Sequence, residues 1–533
     1  MNNILSKFKA LSFMMLAFAF ASCNDFLDEN PDDRVVIDEV EKIQKLLVYA
    51  YPETSISFLT EYSSDNVTDN GRAHTAQNSQ DEVYRFEQDI EESNDDPKNV
   101  WETHYNAVAT ANKALDAIAE LGENEKTLPL KAEALLCRAY AIFSLTNCFC
   151  MAYDSLTANQ YLGIPYPKVS YVSVNSRGTL AETYANIDAD IEAALPLIDD
   201  SYLKVAAAYH FNRRAAYAFA ARFNLFYQRY KKARQYACEA LGSNSLDYMR
   251  TSLSTYGELG MDGIQNAYVN SSEPANFLLV AKYSIMGRTC YASNYERYNH
   301  NQQICQYETY WAHMPWNATN ASNNNTLYES KMIWGNEYLD FTPFVLEFFE
   351  TTSQINRTGF THIVETAFTG DETALVRAEA NILIGTKGSL DSAMVDINNF
   401  VLAHCAEKDG EMKRPTLDIE GLKEFWDKIE TCKWELNKKS GKIEMTAQTP
   451  KKLISKRFKL NDNQMALLYT VLQMRRIETV WKGMRFQDLK RWGIEFIHPI
   501  DREQTIVFKD NDLRGAIQLP QDVIDAGLEK NPR

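Results

Sequence analysis

The sequence lacks the short motifs that carry most catalytic and metal chemistry. It has no Cys-x-x-Cys pair and only 8 histidines in 533 residues, which argues against a structural zinc site. The nucleophile elbow, the dinucleotide-binding glycine pattern and the P-loop are absent, and His362-x-x-Glu365 falls short of a metalloprotease motif. Acid pairs such as Glu347 and Glu350 arise by chance among 72 acidic residues. We therefore expect neither an enzyme nor a cofactor.

Positive charge is also scarce. Lysine and arginine number 55 against 72 acidic residues, so the formal net charge is -17. Such a surface repels the phosphates of nucleic acids. Beyond the N-terminus, no apolar run approaches the ~20 residues that a membrane-spanning helix needs. These two deficits exclude nucleic acid as a partner and predict a folded, water-exposed body.

Nine cysteines are present, and most fall within helical patterns, where buried free thiols are expected. Cys290 and Cys305 are close enough in sequence to bridge in an oxidising compartment, but the spacing leaves their redox state open.

The N-terminus has the pattern of an export signal. Lys7 and Lys9 precede an apolar stretch at 10–20, and small residues lead up to Cys23. A cysteine at this point looks like a bacterial lipobox, in which the thiol receives acyl chains such as palmitate. We expect residues 1–22 to be removed and Cys23 to anchor the mature chain to a membrane. The alternative is an ordinary signal peptide with an incidental cysteine.

Helical periodicity dominates the rest of the chain, which predicts a mainly α fold. Asp38 and Glu41 form a capping-box pattern, and residues 54–99 read as irregular and polar. Apolar residues at 3–4 spacing then predict helices at 101–121, 130–149, 180–198, 212–241 and 465–492.

Two segments resemble tetratricopeptide helix pairs, because small residues recur where such helices pack closely. The first spans 212–241. The second contains Ala380 and Leu390, with Gly385 and Gly388 expected between its helices. Five regions follow from these patterns: a signal peptide at 1–22, a tether at 23–37, a helical region at 38–241, a loop-rich subdomain at 242–369 and a C-terminal region at 370–533, with an extended tail.

Several motifs together resemble the SusD/RagB family of outer-membrane nutrient-binding lipoproteins. They occur in family order along almost the whole chain. The N-terminal motifs are Cys-Asn-Asp-Phe-Leu-Asp-Glu-Asn-Pro at 23–31, and Trp101, Tyr105 and Asn112 followed by the segment 132–140. The later motifs are Val-Arg-Ala-Glu-Ala at 376–380; Arg-Arg-Ile-Glu at 475–478, continued by Trp481, Gly483, Arg485 and the segment 486–493; and Leu-Pro at 519–520 with Asn-Pro at 531–532.

The resemblance implies a SusD-like fold with tetratricopeptide-like pairs as a scaffold. It also implies a lipid-anchored protein on the exterior of the outer membrane. Such a protein binds oligosaccharide and delivers it to a SusC-like TonB-dependent transporter, without covalent chemistry. The alternatives are peptide uptake, as in the RagB branch, and a helical scaffold that binds no small ligand.

The candidate ligand residues combine flat aromatic faces with polar groups, as sugar recognition requires. They lie in the variable insert and in the polar loop after the first helix: Tyr291, Asn294, Tyr295, Tyr310, Trp311 and Trp316, with Asp65 and Arg72 beside Tyr62 and Asn66. The alternative to a ligand-binding role is that these aromatic residues form a small hydrophobic core within the insert. In the C-terminal motif, Arg485 and Asp488 are one helical turn apart, and we expect them to pair and lock the helix in place.

Overall fold

A computed structural model describes residues 37–533 except for 78, 91, 171–175, 291–294, 318–325, 343, 355–357, 408–413, 432–433, 439–441, 446–450 and 502–503. Cys23, the signal and most of the tether lie outside the described residues. No helix in the described part is both long enough and apolar enough to cross a bilayer.

Helices form most of the regular structure, as predicted. They are Val40–Leu47, Ser57–Tyr62, Gln80–Tyr84, Pro97–Leu121, Leu128–Phe149, Leu180–Ala194, Arg213–Phe226, Tyr230–Leu241, Leu253–Tyr256, Met261–Tyr268, Met286–Thr289, Gln302–Glu308, Gly370–Ile384, Lys387–His404, Ile419–Lys428, Asp462–Glu478, Arg485–Trp492 and Gln521–Asp525.

The long helices pack as neighbouring pairs. Pro97–Leu121 lies against Leu128–Phe149, and Arg213–Phe226 lies against Tyr230–Leu241. Gly370–Ile384 packs on Lys387–His404 in the same way. Alanines at the contacts, such as Ala220 and Ala237, are fully buried, so the backbones can approach closely. The two predicted helix pairs are thus confirmed.

The strands are antiparallel and form small sheets. Asn276–Lys282, Thr358–Thr369 and Phe348–Ser353 make one three-stranded sheet with the longest strand in the centre. The other pairs are Thr68–Asp69 with Tyr298–Asn299, Trp334–Asn336 with Leu339–Phe341, Trp434–Asn437 with Lys442–Met445, and Phe496–Ile500 with Gln504–Phe508. The tail is therefore a hairpin followed by a short helix, where the sequence predicted an extended chain.

Several local predictions were wrong. The capping box does not form: Glu39 is the N-cap residue, and the Asp38 carboxylate instead accepts a 2.6 Å bond from Lys42. Gly388 lies inside the helix Lys387–His404, and only Gly385, at φ +73°, ends the preceding helix. The helix from Leu180 ends at Ala194 and tightens into the 3-10 turn Leu195–Leu197 because Pro196 interrupts it.

One hydrophobic core runs through residues of all three predicted folded regions. A second, small cluster lies within the insert: Leu253, Tyr256, Ile264, Tyr268, Val269, Met332 and Phe344. The boundaries at 241 and 369 remain predictions about domain organisation, since the main core does not stop at either one.

Candidate functional site

A groove beside the half-buried Trp434 brings aromatic rings and polar side chains together. It has a volume of about 230 Å³ and is lined by two aromatic rings and several polar side chains: Thr68, Asp69, Asn301, Gln302, Gln303, Gln306, Tyr307, Glu337, Trp434 and Pro499. Trp434 also lines an adjoining cavity of about 650 Å³ with apolar walls that include Leu453, Phe496 and Val507. We call the first space the Trp434 groove.

The helix Gln302–Glu308 supplies most of the polar groups. Its N-cap, Asn301, accepts a 3.1 Å bond from the backbone of Ile304. Ile304 and Cys305 are buried, and this fixes the rotation of the helix. Residues 302, 303, 306 and 307 then fall on the opposite side, toward the groove, as a period of 3.6 requires.

The polar atoms of this surface are available to a ligand. Within the described chain, the side chains of Gln302, Gln303 and Gln306 make no hydrogen bond, and neither does the carboxylate of Glu337. Asp69, in contrast, is buried and held in place. Its carboxylate accepts bonds from the backbone of Gly71 at 2.7 Å and of Asp501 at 2.9 Å. The groove therefore has one fixed acceptor and several free amides beside two rings.

Buried charges fix the base of the helix. Glu308 pairs with Arg476 at 2.6 Å and with Lys452 at 2.7 Å. Lys452 also reaches Asp65 at 2.6 Å, and Asp65 accepts from Arg485 at 2.7 Å. Burial opposes the ionisation of Asp65, but Arg476, Arg485 and Lys452 outweigh it and hold the pKa of Asp65 well below its usual range. This network is a rigid support for the groove.

A second buried cluster could offer ligands to a cation. Carboxylate oxygens of Asp371 and Glu478 and a ring nitrogen of His404 lie within 4.8 Å of one another. Lys482 already donates to Glu478 at 3.0 Å. Burial disfavours the charged imidazole of His404, but the neighbouring Glu329 and Asp371 raise its pKa to about 10. In this structure the imidazole lies between the Glu329 and Asp371 carboxylates, so these groups form an internal ion network.

The structure separates the predicted ligand residues. Tyr310 and Trp316 are 2% and 1% exposed, because they belong to the main core. Trp311 is half-buried and donates its indole N–H to the Ser330 carbonyl at 2.8 Å. Tyr295 is half-buried. Tyr291 and Asn294 lie outside the described residues.

The polar loop is neither a solvated loop nor a ligand surface over most of its length. It folds into short helices and a strand, and Tyr62, Asp65 and Asn66 are buried. Asp65 cannot contact a ligand while its carboxylate is occupied by Arg485 and Lys452. Arg72 is different: its side chain is 81% exposed and pairs with Asp501, next to Asp69 of the groove.

The C-terminal motif clasps this loop. Arg485 pairs with Asp65, while Asp488 pairs with Arg475 at 3.0 Å and with Arg491 at 2.7 Å. The predicted pairing of Arg485 with Asp488 was therefore wrong. The expected locking role holds, because Arg475, Arg485 and Asp488 are buried and their pairs join the helix Arg485–Trp492 to the helix Asp462–Glu478 and to the loop at Asp65.

Glu61 is the centre of the clasp. Its two carboxylate oxygens accept from the backbone of Trp481 at 2.8 Å and of Gly483 at 3.1 Å. Burial raises the pKa of Glu61 to about 7. The turn needs positive φ angles at both positions, +64° at Trp481 and +72° at Gly483.

Sequence reasoning missed Trp434 and the glutamines of the groove. Trp434 lies in a lysine-rich stretch whose composition predicts an exposed loop. A large aromatic residue in such a loop was the one signal in the sequence that pointed to a binding surface there. Tyr307 lies three residues before Tyr310 in the same aromatic-rich stretch, but nothing in the local pattern indicates that Gln302, Gln303 and Gln306 face a groove.

The fold and the groove define a class: a mainly α protein with a polar, aromatic-lined surface groove. Residues 25–225 match the family model SusD-like_3, described as starch-binding and associating with the outer membrane. The match covers the N-terminal part of the chain, and the chain has the SusD-like fold over nearly its whole length.

Solved structures with the same fold are distant in sequence. A Bacteroides vulgatus ATCC 8482 protein shares 17% identity, with 94% of this chain and 99% of that chain covered and a TM-score of 0.63. A SusD superfamily protein of Bacteroides fragilis shares 14%, with 92% and 98% covered and a TM-score of 0.62. A SusD-like carbohydrate binding protein of Bacteroides vulgatus ATCC 8482 shares 15%, with 89% of each chain covered and a TM-score of 0.56. No curated protein sequence matches the chain.

Proposed function

We propose that this protein captures oligosaccharide at the Trp434 groove. The observation that carries the proposal is the combination of two aromatic rings with free side-chain amides and a fixed carboxylate in one concave surface. Apolar C–H faces of a pyranose ring pack on aromatic rings, and amides and carboxylates bond its hydroxyls. The starch-binding description of the matching family and the carbohydrate-binding relative support the same class of ligand.

In this proposal the groove binds the oligosaccharide without carrying out any chemistry on it. The ligand is held by packing and hydrogen bonds, and no bond is made or broken. Arg72 at the rim, paired with Asp501, is placed to contact a longer ligand that extends past Asp69.

The cellular role follows from the family and from the N-terminus. We propose that Cys23 carries the lipid anchor, that the chain faces the exterior at the outer membrane, and that it passes ligand to a TonB-dependent transporter. The family match begins at residue 25, two positions after Cys23, the expected first residue of the mature chain. Replacing Cys23 with alanine should abolish incorporation of labelled palmitate and release the protein from the membrane fraction. Unchanged labelling of the variant would contradict the anchor.

A ligand panel tests the capture proposal. The chain lacking residues 1–23 is run in native gels that contain starch or other neutral glycans, and is separately titrated with oligosaccharides and tryptic peptides. We expect retardation by at least one glycan. Binding of peptides alone would favour the peptide-uptake alternative. No binding to any member of the panel would favour a scaffold that binds no small ligand.

A further inference from the structure

A second pocket lies on the exposed face of the three-stranded sheet. It has a volume of about 280 Å³ and shares no lining residue with the Trp434 groove. Its lining includes four tyrosines, two glutamates and a histidine: Tyr49, Tyr51, Tyr209, Tyr283, Glu53, Glu350 and His362. We call it the tyrosine pocket.

The sheet register explains the arrangement. Glu350 lies opposite Phe360, and Phe348 lies opposite His362, on adjacent strands. Side chains two apart on a strand share a face, so these four point the same way. Tyr283 follows the next strand and contacts Phe360, with ring centroids 5.6 Å apart.

The first helix closes the pocket from the side. Tyr49, in the turn that ends this helix, is 66% exposed. The Tyr283 backbone N–H donates to the Glu53 carbonyl at 2.6 Å, which fixes the loop after Pro52 against the sheet. Burial raises the pKa of Tyr283, and the nearby Glu350 and Glu53 carboxylates raise it further. These acids therefore lie close to the Tyr283 ring.

The two carboxylates have no cation of their own. Within the described chain, neither Glu53 nor Glu350 makes an ion pair or a side-chain hydrogen bond, whereas nearby Glu347 pairs with Arg288 at 2.8 Å. Lys282 lines the pocket, but it is 2% exposed and its ammonium donates inward to the Thr54 carbonyl at 3.0 Å.

The chemistry of the tyrosine pocket differs from that of the groove. Among the described residues that line it there is no side-chain amide, in contrast to the three glutamines and the asparagine of the Trp434 groove. Electron-rich ring faces beside unpaired carboxylates attract a cation both through the ring quadrupole and through charge. We propose that the tyrosine pocket binds an organic cation, an ammonium or guanidinium group that enters between Tyr49 and Tyr283 and pairs with Glu53 and Glu350.

Such a group has two sources, a lysine or arginine side chain on a protein and a free amine such as an amino sugar. The probes are N-acetyl-lysine methylamide and its neutral isostere N-acetyl-norleucine methylamide, titrated by ligand-observed NMR at low ionic strength. Two further arms use an acetylated Ala-Lys-Ala amide and a glucosamine tetramer. The tighter of these two identifies the source.

We expect the lysine derivative to bind saturably and the norleucine derivative not to bind. Glu350→Gln and Glu53→Gln should each weaken binding about two- to fivefold, as exposed ion pairs do. Salt at 0.5 M should weaken it further, because screening shortens the reach of exposed charges. Tyr283→Leu should weaken binding of the lysine derivative by a similar factor.

Glu120→Gln is the matched control, since Glu120 is an exposed glutamate on the helix Pro97–Leu121 and lines neither site. It should leave binding unchanged. Equal binding of the norleucine derivative, failure of every cationic probe, or full binding in the Glu53→Gln/Glu350→Gln double variant would overturn the proposal. The double variant changes two exposed side chains, and circular dichroism would verify that it is folded.

Discussion

At the scale of single residues, buried charges decide which contacts are fixed. Asp65, Glu308, Arg476, Arg485 and Lys452 are all removed from solvent and satisfy one another. A buried charge without its partner is far more costly than the intact pair is beneficial. The contact between the C-terminal motif and the loop at 61–66 should therefore be sensitive to the loss of any one of these partners.

Asp65→Asn should lower the free energy of unfolding by about 3–5 kcal/mol, because Arg485 and Lys452 each lose a charged partner in a buried site. Urea denaturation followed by circular dichroism measures this loss. Asp391→Asn, at an exposed position on the helix Lys387–His404, is the control and should change stability by less than about 0.5 kcal/mol. Equal effects of the two substitutions would show that the Asp65 network carries no special stability.

Three buried histidines should differ in protonation. Burial is the largest cause that lowers the pKa of His300 and of His498, each to about 4, whereas Glu329 and Asp371 raise that of His404 to about 10. NMR of ¹³C-labelled histidine, assigned with single His→Asn variants, should show His404 charged at pH 8 and the other two neutral at pH 5.5.

This prediction has a consequence for stability. Because the folded pKa of His404 lies above the unfolded value, its contribution is fully present below about pH 6.5 and is lost as the pH rises toward 10. A His404 resonance that titrates near pH 6.5 would contradict the ion network around it.

At the scale of elements, helices were predictable and turns less so. Apolar residues at helical spacing identified long helices such as Pro97–Leu121, which ends before Gly122 at φ +87°. Sequence could not give the partner of Arg485, because Asp488 is near in sequence and Asp65 is 420 residues away. Nor did local pattern show that a polar segment such as 61–66 is buried, since its burial depends on charges supplied from the C-terminal region.

Replacing Gly483 and Gly388 with alanine, one at a time, should have different effects on the stability of the protein. A Cβ at Gly483 would lie 2.8 Å from the Ser57 Cα, and its φ of +72° disfavours any side chain. Gly388 lies within a helix, and open space surrounds the position that a Cβ would take there.

Gly483→Ala should therefore destabilise the protein by about 1–3 kcal/mol, while Gly388→Ala should be neutral or stabilise it by up to about 1 kcal/mol. Thermal unfolding of both variants beside the parent chain measures the difference. A stable Gly483→Ala variant would mean that the turn after Trp481 is not constrained as described.

At the scale of the whole molecule, one core joins regions that the sequence pattern divided. Trp316 and Tyr310 belong to that core, so aromatic richness alone does not identify a ligand-facing surface. Composition cannot separate the buried rings of the segment 242–369 from its surface rings. The groove is instead completed by Trp434, from a distant hairpin, beside the helix Gln302–Glu308.

The solvent accessibility of the cysteines can be used to probe the hydrophobic core. Among the described residues, Cys238 is exposed, and Cys137, Cys148, Cys150, Cys290, Cys305 and Cys405 are buried free thiols. Alkylation of the native protein lacking residues 1–23, read by peptide mass spectrometry, should modify Cys238 and spare these six until guanidinium is added. A native Cys290–Cys305 disulfide, seen as a linked peptide, would contradict the assignment.

The central claim is glycan capture at the Trp434 groove, and calorimetric titration of the parent chain and Trp434→Ala with the best glycan of the panel tests it most directly. Loss of a stacking platform should weaken binding at least about tenfold, equivalent to about 1.4 kcal/mol. Phe349→Ala, which removes an exposed ring that lines neither the groove nor the tyrosine pocket, is the control and should bind like the parent. Undiminished binding by Trp434→Ala would contradict the account and place the glycan elsewhere on the molecule.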